Sequence, residues 1–321
     1  MEAWKLYSRT LHTGEKVLIA TNGFWADRAI AMAENYGLEV VRLPGPSNET
    51  FKFEDLEKEI IKHKPVLLFI SHGETSTGVL QPLEGLSKIC HRHGCLLAVD
   101  AIITFAAVPL FVDRWEIDAI VGAPQKGLAA PPGLTFLSFS ERAVERMDKK
   151  KVNPPFYLHA KKVANCWRCL NDGPAGFHYT WNSNMLCAIR EAFLQLLEKG
   201  LANTWENQTK MAERLWIGLE KMGLKLWVPN KEKRLPNVTT VILPEGIDVK
   251  KVCRYAYDVL HTDISFGIGP TYGKCLRIGI MGYNCRPEIV DRALEVITEV
   301  LDKYPIYSKQ YTSVGVNSWG R

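Results

Sequence analysis

The chain lacks any apolar run long enough to cross a membrane, which takes about 20 residues. Its longest apolar stretches, Val66–Ile70 and Leu96–Val99, are strand-length, so a membrane span is excluded. The opening MEAWKLYSRT has no apolar signal region. Internal repeats and low-complexity tracts are missing. The charge imbalance is small: 40 Lys+Arg against 35 Asp+Glu gives +5, with both signs interspersed. That is too mild to indicate a nucleic-acid partner. A dense cysteine framework is also missing. The eight cysteines sit in apolar runs or helices (Cys90, Cys95, Cys187, Cys253 and Cys275 among them), as buried thiols of a reducing compartment do. The chain therefore reads as intracellular, with no organelle assigned. The sequons Asn48-Glu49-Thr50, Asn207-Gln208-Thr209 and Asn237-Val238-Thr239 are then expected to stay unmodified.

What is present is ordinary globular composition: 46% hydrophobic, 23% charged and 10% aromatic residues over 321 positions, enough for about two domains. The first part alternates strand and helix signals. Val17–Ala20 is strand-like, Trp25–Tyr36 helical, Leu38–Leu43 strand-like. Phe53–His63 is a surface helix with Leu56, Ile60 and Ile61 on one face. Val66–Ile70, Leu96–Val99, Ile117–Val121 and Leu134–Phe139 are further strands. A helix marked by Leu83, Leu86, Ile89 and Cys90 lies among them. Short apolar strands alternating with amphipathic helices imply an α/β fold with a largely parallel sheet. In such sheets function gathers past the carboxyl ends of the strands. The polar residues there are Asn22, Trp25, His72, Glu74, Thr75, Asp100, Gln125 and Lys126.

The second part has fewer elements. A long helix carries Met211, Leu215, Leu219 and Met222, with Gly223 as its expected stop. Strands at Leu224–Val228, Val238–Leu243 and Leu276–Ile280 follow, with a helix opening at Asp248 and a final helix through Val290, Ala293, Ile297 and Val300. The expected organisation is a large domain over 1–199, a small α+β domain over 200–304 and a loose tail over 305–321.

Lys126 follows a buried strand within Gly122-Ala123-Pro124-Gln125-Lys126-Gly127. Taken singly it is either a solvated loop residue or an amine held in a pocket. A desolvated lysine loses basicity and can form a Schiff base with an aldehyde. Asp100 ends the strand Leu96–Val99 and could cap a helix, bind a metal or pair with a cationic ring nitrogen. The two together fit pyridoxal phosphate: the lysine links to the aldehyde, and the carboxylate keeps the pyridine nitrogen protonated.

At this point the sequence resembles a family. Ser71-His72-Gly73-Glu74-Thr75-Ser76-Thr77-Gly78-Val79-Leu80-Gln81-Pro82, Ala98-Val99-Asp100, Gln125-Lys126 and Ala130-Pro131-Pro132-Gly133 are similar to the class V aminotransferases. Within them the chain resembles the alanine–glyoxylate/serine–pyruvate aminotransferases and the related insect 3-hydroxykynurenine transaminases. It continues through Arg234-Leu235-Pro236, Gly267-Ile268-Gly269-Pro270 and Leu276-Arg277-Ile278-Gly279, from about Val17 to about Tyr304. The resemblance implies fold type I of the pyridoxal-phosphate enzymes, a homodimer, and a small amino acid and 2-oxo acid as substrates. It implies that Lys126 is the Schiff-base lysine and proton carrier, and Asp100 the pyridinium partner. Trp25 would stack on the ring, with Ile102 on its other face and Thr75 near the phenolic oxygen. Gln125 would bind phosphate, as would Thr180 across the dimer interface. Arg277 would grip the substrate carboxylate.

The chain also departs from the family's pattern. A Gly/Ser-rich turn that holds the cofactor phosphate has no counterpart, so an N-terminally shortened chain is expected. Phe177 stands in place of a phosphate-binding Tyr, Arg168 in place of a Gly, and Trp319-Gly320-Arg321 is not the peroxisomal tripeptide. Cys90-His91-Arg92-His93-Gly94-Cys95 has metal-ligand residue types, but His91 and His93 cannot share a helix face, so no metal is expected. Cys166-Trp167-Arg168-Cys169, read as a loop, lacks the second pair of a zinc site. The expected function is transamination from alanine or serine to glyoxylate or pyruvate. The alternatives are a 3-hydroxykynurenine–glyoxylate transaminase and a catalytically impaired relative acting as a dimer subunit. A cysteine-desulfurase-like lyase would need a mobile-loop cysteine, a role that Cys275 and Cys285 suit poorly.

Overall fold

The computed structural model describes residues 11, 13–149, 156–169 and 176–304; the expected loose tail lies outside them. Strand β1 (Lys16–Thr21) leads into α1 (Phe24–Asn35), β2 (Glu39–Pro44), α2 (Phe53–His63) and β3 (Leu67–Ser71). A small hairpin follows, β4 (Gly73–Glu74) with β5 (Val79–Leu80), then α3 (Leu86–Arg92), β6 (Leu96–Asp100), β7 (Ala119–Gly122) and β8 (Phe136–Phe139). Six of these strands form one sheet in the order β2-β1-β3-β6-β7-β8. All neighbours run parallel except β8, which closes the edge antiparallel to β7.

The four inner strands β1, β3, β6 and β7 are buried and apolar along their middles because both faces are covered, while the edge strands β2 and β8 are partly exposed. Alternate residues go to opposite sides. Val17, Ile19, Leu67, Phe69 and Ala98 pack with Ala29, Ile30 and Ala33 of α1. Leu18, Ala20, Leu68, Ile70, Leu97 and Val99 pack with Leu56 and Ile60 of α2 and with Leu86 and Cys90 of α3. Ile61 does not join that face: it is 52% exposed. One further residue turns the helix by about 100°, and Phe53, about two turns earlier, packs there instead.

After β8 come α4 (Glu141–Asp148), α5 (Ala160–Cys166), α6 (Ser183–Lys199) and α7 (Leu201–Lys221). Cys166 is thus the last residue of a short helix rather than part of a loop. Asn182 caps α6, accepting the Met185 N–H at 3.1 Å. Gly223, with φ of +76°, follows the last turn of α7 and takes the left-handed conformation that stops the helix. A second sheet has the order β11-β12-β10-β9, built from β9 (Lys225–Leu226), β10 (Val238–Ile242), β11 (Ser265–Phe266) and β12 (Cys275–Gly279), all antiparallel. Helices α8 (Val249–Asp258) and α9 (Pro287–Asp302) share with α7 one apolar core against this sheet. Asp248 caps α8 by accepting the Lys250 and Lys251 N–H groups.

Ile103, Leu235 and Val238 form an apolar seam between the two sheets, with Leu80 and Met281 against it. Asn237 Nδ2 donates to the Ile103 carbonyl at 2.6 Å, and Gln208 Nε2 donates to the Ile280 carbonyl at 2.7 Å. This seam sets the second sheet against the carboxyl edge of the first. No helix of the described residues is long and apolar enough to cross a membrane.

Candidate active site

The large sheet changes direction between β1 and β3, because β2 lies on one side of β1 and every later strand on the other. A crevice opens at the carboxyl ends of strands at such a point. Trp25 leaves the end of β1 as the second residue of α1. Thr75 sits in the turn of the hairpin that follows β3. Asp100 is the last residue of β6, and Lys126 lies four positions past the end of β7.

The Asp100 carboxylate is held at a strand end paired with Ser71 on one side and Val121 on the other. Its Oδ1 accepts the Ile102 N–H at 2.9 Å. Burial raises its pKa to about 6, the Ile102 hydrogen bond acting against the rise. A carboxylate so placed gains from a cation brought beside it. Lys126 is half-buried, and burial, helped by the Arg277 charge, lowers its pKa. The amine is shifted toward its neutral, nucleophilic form.

Arg277 comes from the other sheet, in the middle of β12. Its Nε donates to the Phe266 carbonyl and its Nη1 to the Thr75 carbonyl, both at 3.1 Å. Burial lowers its pKa while the Glu74 charge opposes that shift. Trp25 is 41% exposed and stands edge-on to Phe24, with centroids 5.4 Å apart. Ile102 is half-buried beside Asp100, and Gln125 is exposed next to Lys126.

The structure therefore gathers Asp100, Lys126, Thr75, Ile102, Gln125, Trp25 and Arg277 at one edge. Thr180 is exposed, two residues before Asn182, in a run where the Tyr157, Tyr179 and Trp181 rings lie against one another. None of the hydrogen bonds among the described residues joins it to the other candidates. Phe177 is 84% exposed.

His72 is buried behind this edge. Its Nδ1 lies 2.9 Å from Thr104 Oγ1, whose own proton goes to the Ala101 carbonyl, so the ring donates from Nδ1. Desolvation lowers its pKa to about 3, so it is neutral. The Cys90–Cys95 segment does not assemble as a metal site. His91 Nε2 is 2.8 Å from the buried Asp118, while His93 Nε2 turns to Glu57 at 3.1 Å. Cys275 is buried in β12, and Cys285 is half-buried with Asn207 donating to its carbonyl at 2.9 Å, so neither is an exposed loop nucleophile.

Two residues at the edge escaped assignment from sequence. Glu74 is 1% exposed and its Oε2 has no hydrogen-bond partner. Ser76 is fully buried and donates from N and Oγ to Glu74 Oε1 at 2.9 and 2.7 Å. Burial raises the Glu74 pKa to about 7, and the Asp100 charge adds to the rise. The edge thus holds two carboxylates poor in solvent and two cations poor in solvent, a setting that favours a ligand carrying both signs of charge.

Comparison with known proteins agrees with this chemistry. The family described as Aminotransferase class-V matches residues 3–290. An alanine–glyoxylate aminotransferase of Callithrix jacchus is 39% identical over 297 residues, covering 92% of this chain and 71% of the relative. The crystal structure of an alanine–glyoxylate aminotransferase from Nostoc sp. superposes with a TM-score of 0.90 at 35% identity, over 94% of this chain and 78% of that one. A ureidoglycine–glyoxylate aminotransferase from Bacillus subtilis gives 0.87 at 31% identity, over 97% and 81%.

Proposed function

The chain belongs to the class-V aminotransferase family, and from that premise we propose that it moves the amino group of alanine or serine to glyoxylate, with pyridoxal 5'-phosphate as cofactor. With alanine the products are pyruvate and glycine, so atoms balance without a further reactant. The observation that carries the reading is the placement of Asp100 at the end of β6 and Lys126 in the turn that follows the adjacent parallel β7, with the Arg277 charge acting on Lys126.

The residues present fit that cofactor. A desolvated carboxylate with one backbone hydrogen bond suits a protonated ring nitrogen. A lysine of lowered basicity suits an aldehyde. Bound there, the cofactor supplies an aldehyde for amine exchange and a ring that takes up the electrons released at the substrate Cα. Lys126 is the amine that engages the aldehyde and, when free, the base that carries the Cα proton. Asp100 holds the ring nitrogen charged. Trp25 offers a ring face on one side and Ile102 an apolar surface on the other. Thr75 would hold the phenolic oxygen and Gln125 the phosphate. Arg277, oriented by two backbone carbonyls, presents its remaining N–H groups to the substrate carboxylate.

We further propose a homodimer in which Thr180 of one copy reaches the phosphate bound by the other. Support comes from the apolar surface near it: Phe156, which lies against His178, Trp167, which lies against Trp181, and Phe177 are 62, 47 and 84% exposed. Surface of that kind marks an interface.

The test is direct. The purified chain is incubated with pyridoxal phosphate, reduced with borohydride and digested, and the adduct is located by mass spectrometry. An adduct on Lys126, absent in Lys126→Ala, together with pyruvate formed from alanine and glyoxylate, supports the reading. No adduct, or one that persists in the variant, overturns it.

A further inference from the structure

Helix α1 carries Trp25 but has no cap of its own. Its N-cap is Gly23, in extended conformation, with no side chain to accept the first N–H groups. Those donors need a partner once water is removed. The partner comes from the hairpin after β3, some fifty positions away. Phe24 N–H donates to Ser76 Oγ at 3.0 Å, and Ser76 Oγ passes its own proton to Glu74 Oε1. The Trp25 N–H also stabilises the Glu74 carboxylate.

Gly23 is required by the same arrangement. A Cβ there would lie 2.5 Å from Ser76 Oγ and closer still to Glu74 Cδ and Cγ. The space of an ordinary N-cap side chain is filled by the residues that replace it. The connection between β11 and β12 seals the contact, with Thr271 Oγ1 lying 2.8 Å from the Ser76 carbonyl oxygen. Arg277 places a positive charge, and Asp100 a negative one, within range of the buried carboxylate.

We propose that Glu74 is a positioning residue that caps α1 from outside the helix and thereby fixes the Trp25 ring over the cofactor edge. This claim rests on the aminotransferase reading for its consequence, though not for its geometry. Glu74 Oε1 can accept from Ser76 N and Oγ in either protonation state, so the cap needs an acceptor oxygen rather than a charge. Loss of that oxygen frees the first turn of α1, and Trp25 is the second residue of that turn. A buried glutamate that merely filled space would not depend on Trp25 for its effect.

A double-mutant cycle separates the two cases. Affinity for pyridoxal phosphate is measured for the wild type, Glu74→Ala, Trp25→Ala and the double variant. Losing a cap corresponds to roughly a tenfold loss. Glu74→Ala is therefore expected to weaken binding about tenfold with Trp25 present and less than about twofold without it. Glu74→Gln keeps one acceptor oxygen for Ser76 and is expected to restore most of the affinity. Equal losses in both backgrounds overturn the proposal. Should Glu74→Ala not fold, Ser76→Ala removes the hydroxyl relay and is judged by the same criterion.

Amide hydrogen exchange on the cofactor-free protein gives an independent readout. Exchange over Phe24–Asp27 is expected to rise at least about tenfold in Glu74→Ala, while the core strand Leu67–Ser71 is unchanged. If the wild type takes no cofactor, the aminotransferase reading fails, and unchanged exchange over Phe24–Asp27 would overturn the cap as well.

Discussion

The guanidinium of Arg277 donates from Nη1 to the carbonyl of Thr75, across 202 positions of sequence and from one sheet to the other. With Nε on the Phe266 carbonyl, two of its donors are committed to backbone. The remaining N–H groups are thereby held in a fixed fork. Arg277→Lys keeps the charge and loses the fork. A charge-assisted hydrogen bond contributes about 1.5–3 kcal/mol, so KM for alanine is expected to rise roughly 10- to 100-fold with a smaller change in kcat. Steady-state kinetics over a range of alanine concentrations check this. An unchanged KM would remove Arg277 from the substrate site.

Asp100→Asn preserves shape and the Ile102 hydrogen bond while deleting the charge. Breaking a buried ion pair on one side costs about 3–5 kcal/mol. Turnover is expected to drop by roughly two to three orders of magnitude, while the borohydride adduct on Lys126 still forms. Adduct yield and turnover measured on the same preparation test this. Retained turnover would show that ring protonation does not depend on this carboxylate.

Much of the framework was legible in the sequence because buried parallel strands are written as contiguous apolar runs. Val66–Ile70 and Leu96–Val99 could be read this way, and the Asp and Lys beyond such runs stood out against them. Ile61 misled because a helix face is only approximately sampled by residues one apart. Glu74 stood among the polar residues past the strand ends, but the cap it forms with Ser76 was not legible. Their hairpin strands are two residues each, too short to show a period, and the helix they cap starts far upstream. A cap supplied from a distance leaves only an N-cap glycine as its local trace. The Arg277–Thr75 bond is equally silent, since it exists only once both sheets are docked.

Glu74 and Asp100 make the cofactor-free protein sensitive to alkali. Both have folded pKa values above the ordinary ones, at about 7 and about 6. The folded state therefore holds their protons more tightly than the unfolded chain. Their stabilising contribution is complete below about pH 4 and is lost as pH rises through 6 and 7. For Glu74 the rise from 4.5 amounts to roughly 3 kcal/mol. Urea unfolding of the cofactor-free protein at pH 5 and pH 8 should show this loss for the wild type, and Glu74→Gln should reduce it. A variant that keeps the full wild-type difference would assign the loss to other groups.

His72 acts in the opposite sense. Its folded pKa of about 3 lies below the ordinary 6.5, so the unfolded chain takes up the proton first. Stability is intact above about pH 6.5 and falls as pH drops toward 3. Replacing His72 with Gln removes that acid-side slope, at the cost of a repacked contact with Trp115, whose ring centroid is 6.0 Å away. The check is the slope of unfolding free energy between pH 6 and 4, which should be shallower in the variant. An equal slope would mean that the buried imidazole is not its source.

Gly282 packs directly against the turn that carries Lys126. Its φ of +57° is a left-handed conformation, and a Cβ there would lie 2.5 Å from Ala129 Cβ and 3.2 Å from the Lys126 carbonyl oxygen. Ala129 is itself left-handed, at φ of +59°, and its N–H donates to the Lys126 carbonyl at 3.0 Å, so the lysine loop is a tight turn with little room to yield. The same chain segment continues back through Met281 into β12, five residues from Arg277. Gly282→Ala must therefore do two things at once. It strains its own backbone by about 1–2 kcal/mol, and it pushes the end of β12 away from the lysine turn. Because Lys126 sits on the large sheet and Arg277 on the small one, the displacement changes the separation of the group that engages the cofactor from the group that holds the substrate. The borohydride adduct on Lys126 is expected to form as in the wild type. KM for alanine is expected to rise about tenfold, a shift on the scale that misplacement of a positioned group produces. Adduct mass spectrometry and steady-state kinetics on one preparation separate the two effects. A variant that loses the adduct together with substrate affinity would show that Gly282 supports the lysine turn alone, and one with wild-type KM would show that the two sheets do not set the spacing through this contact.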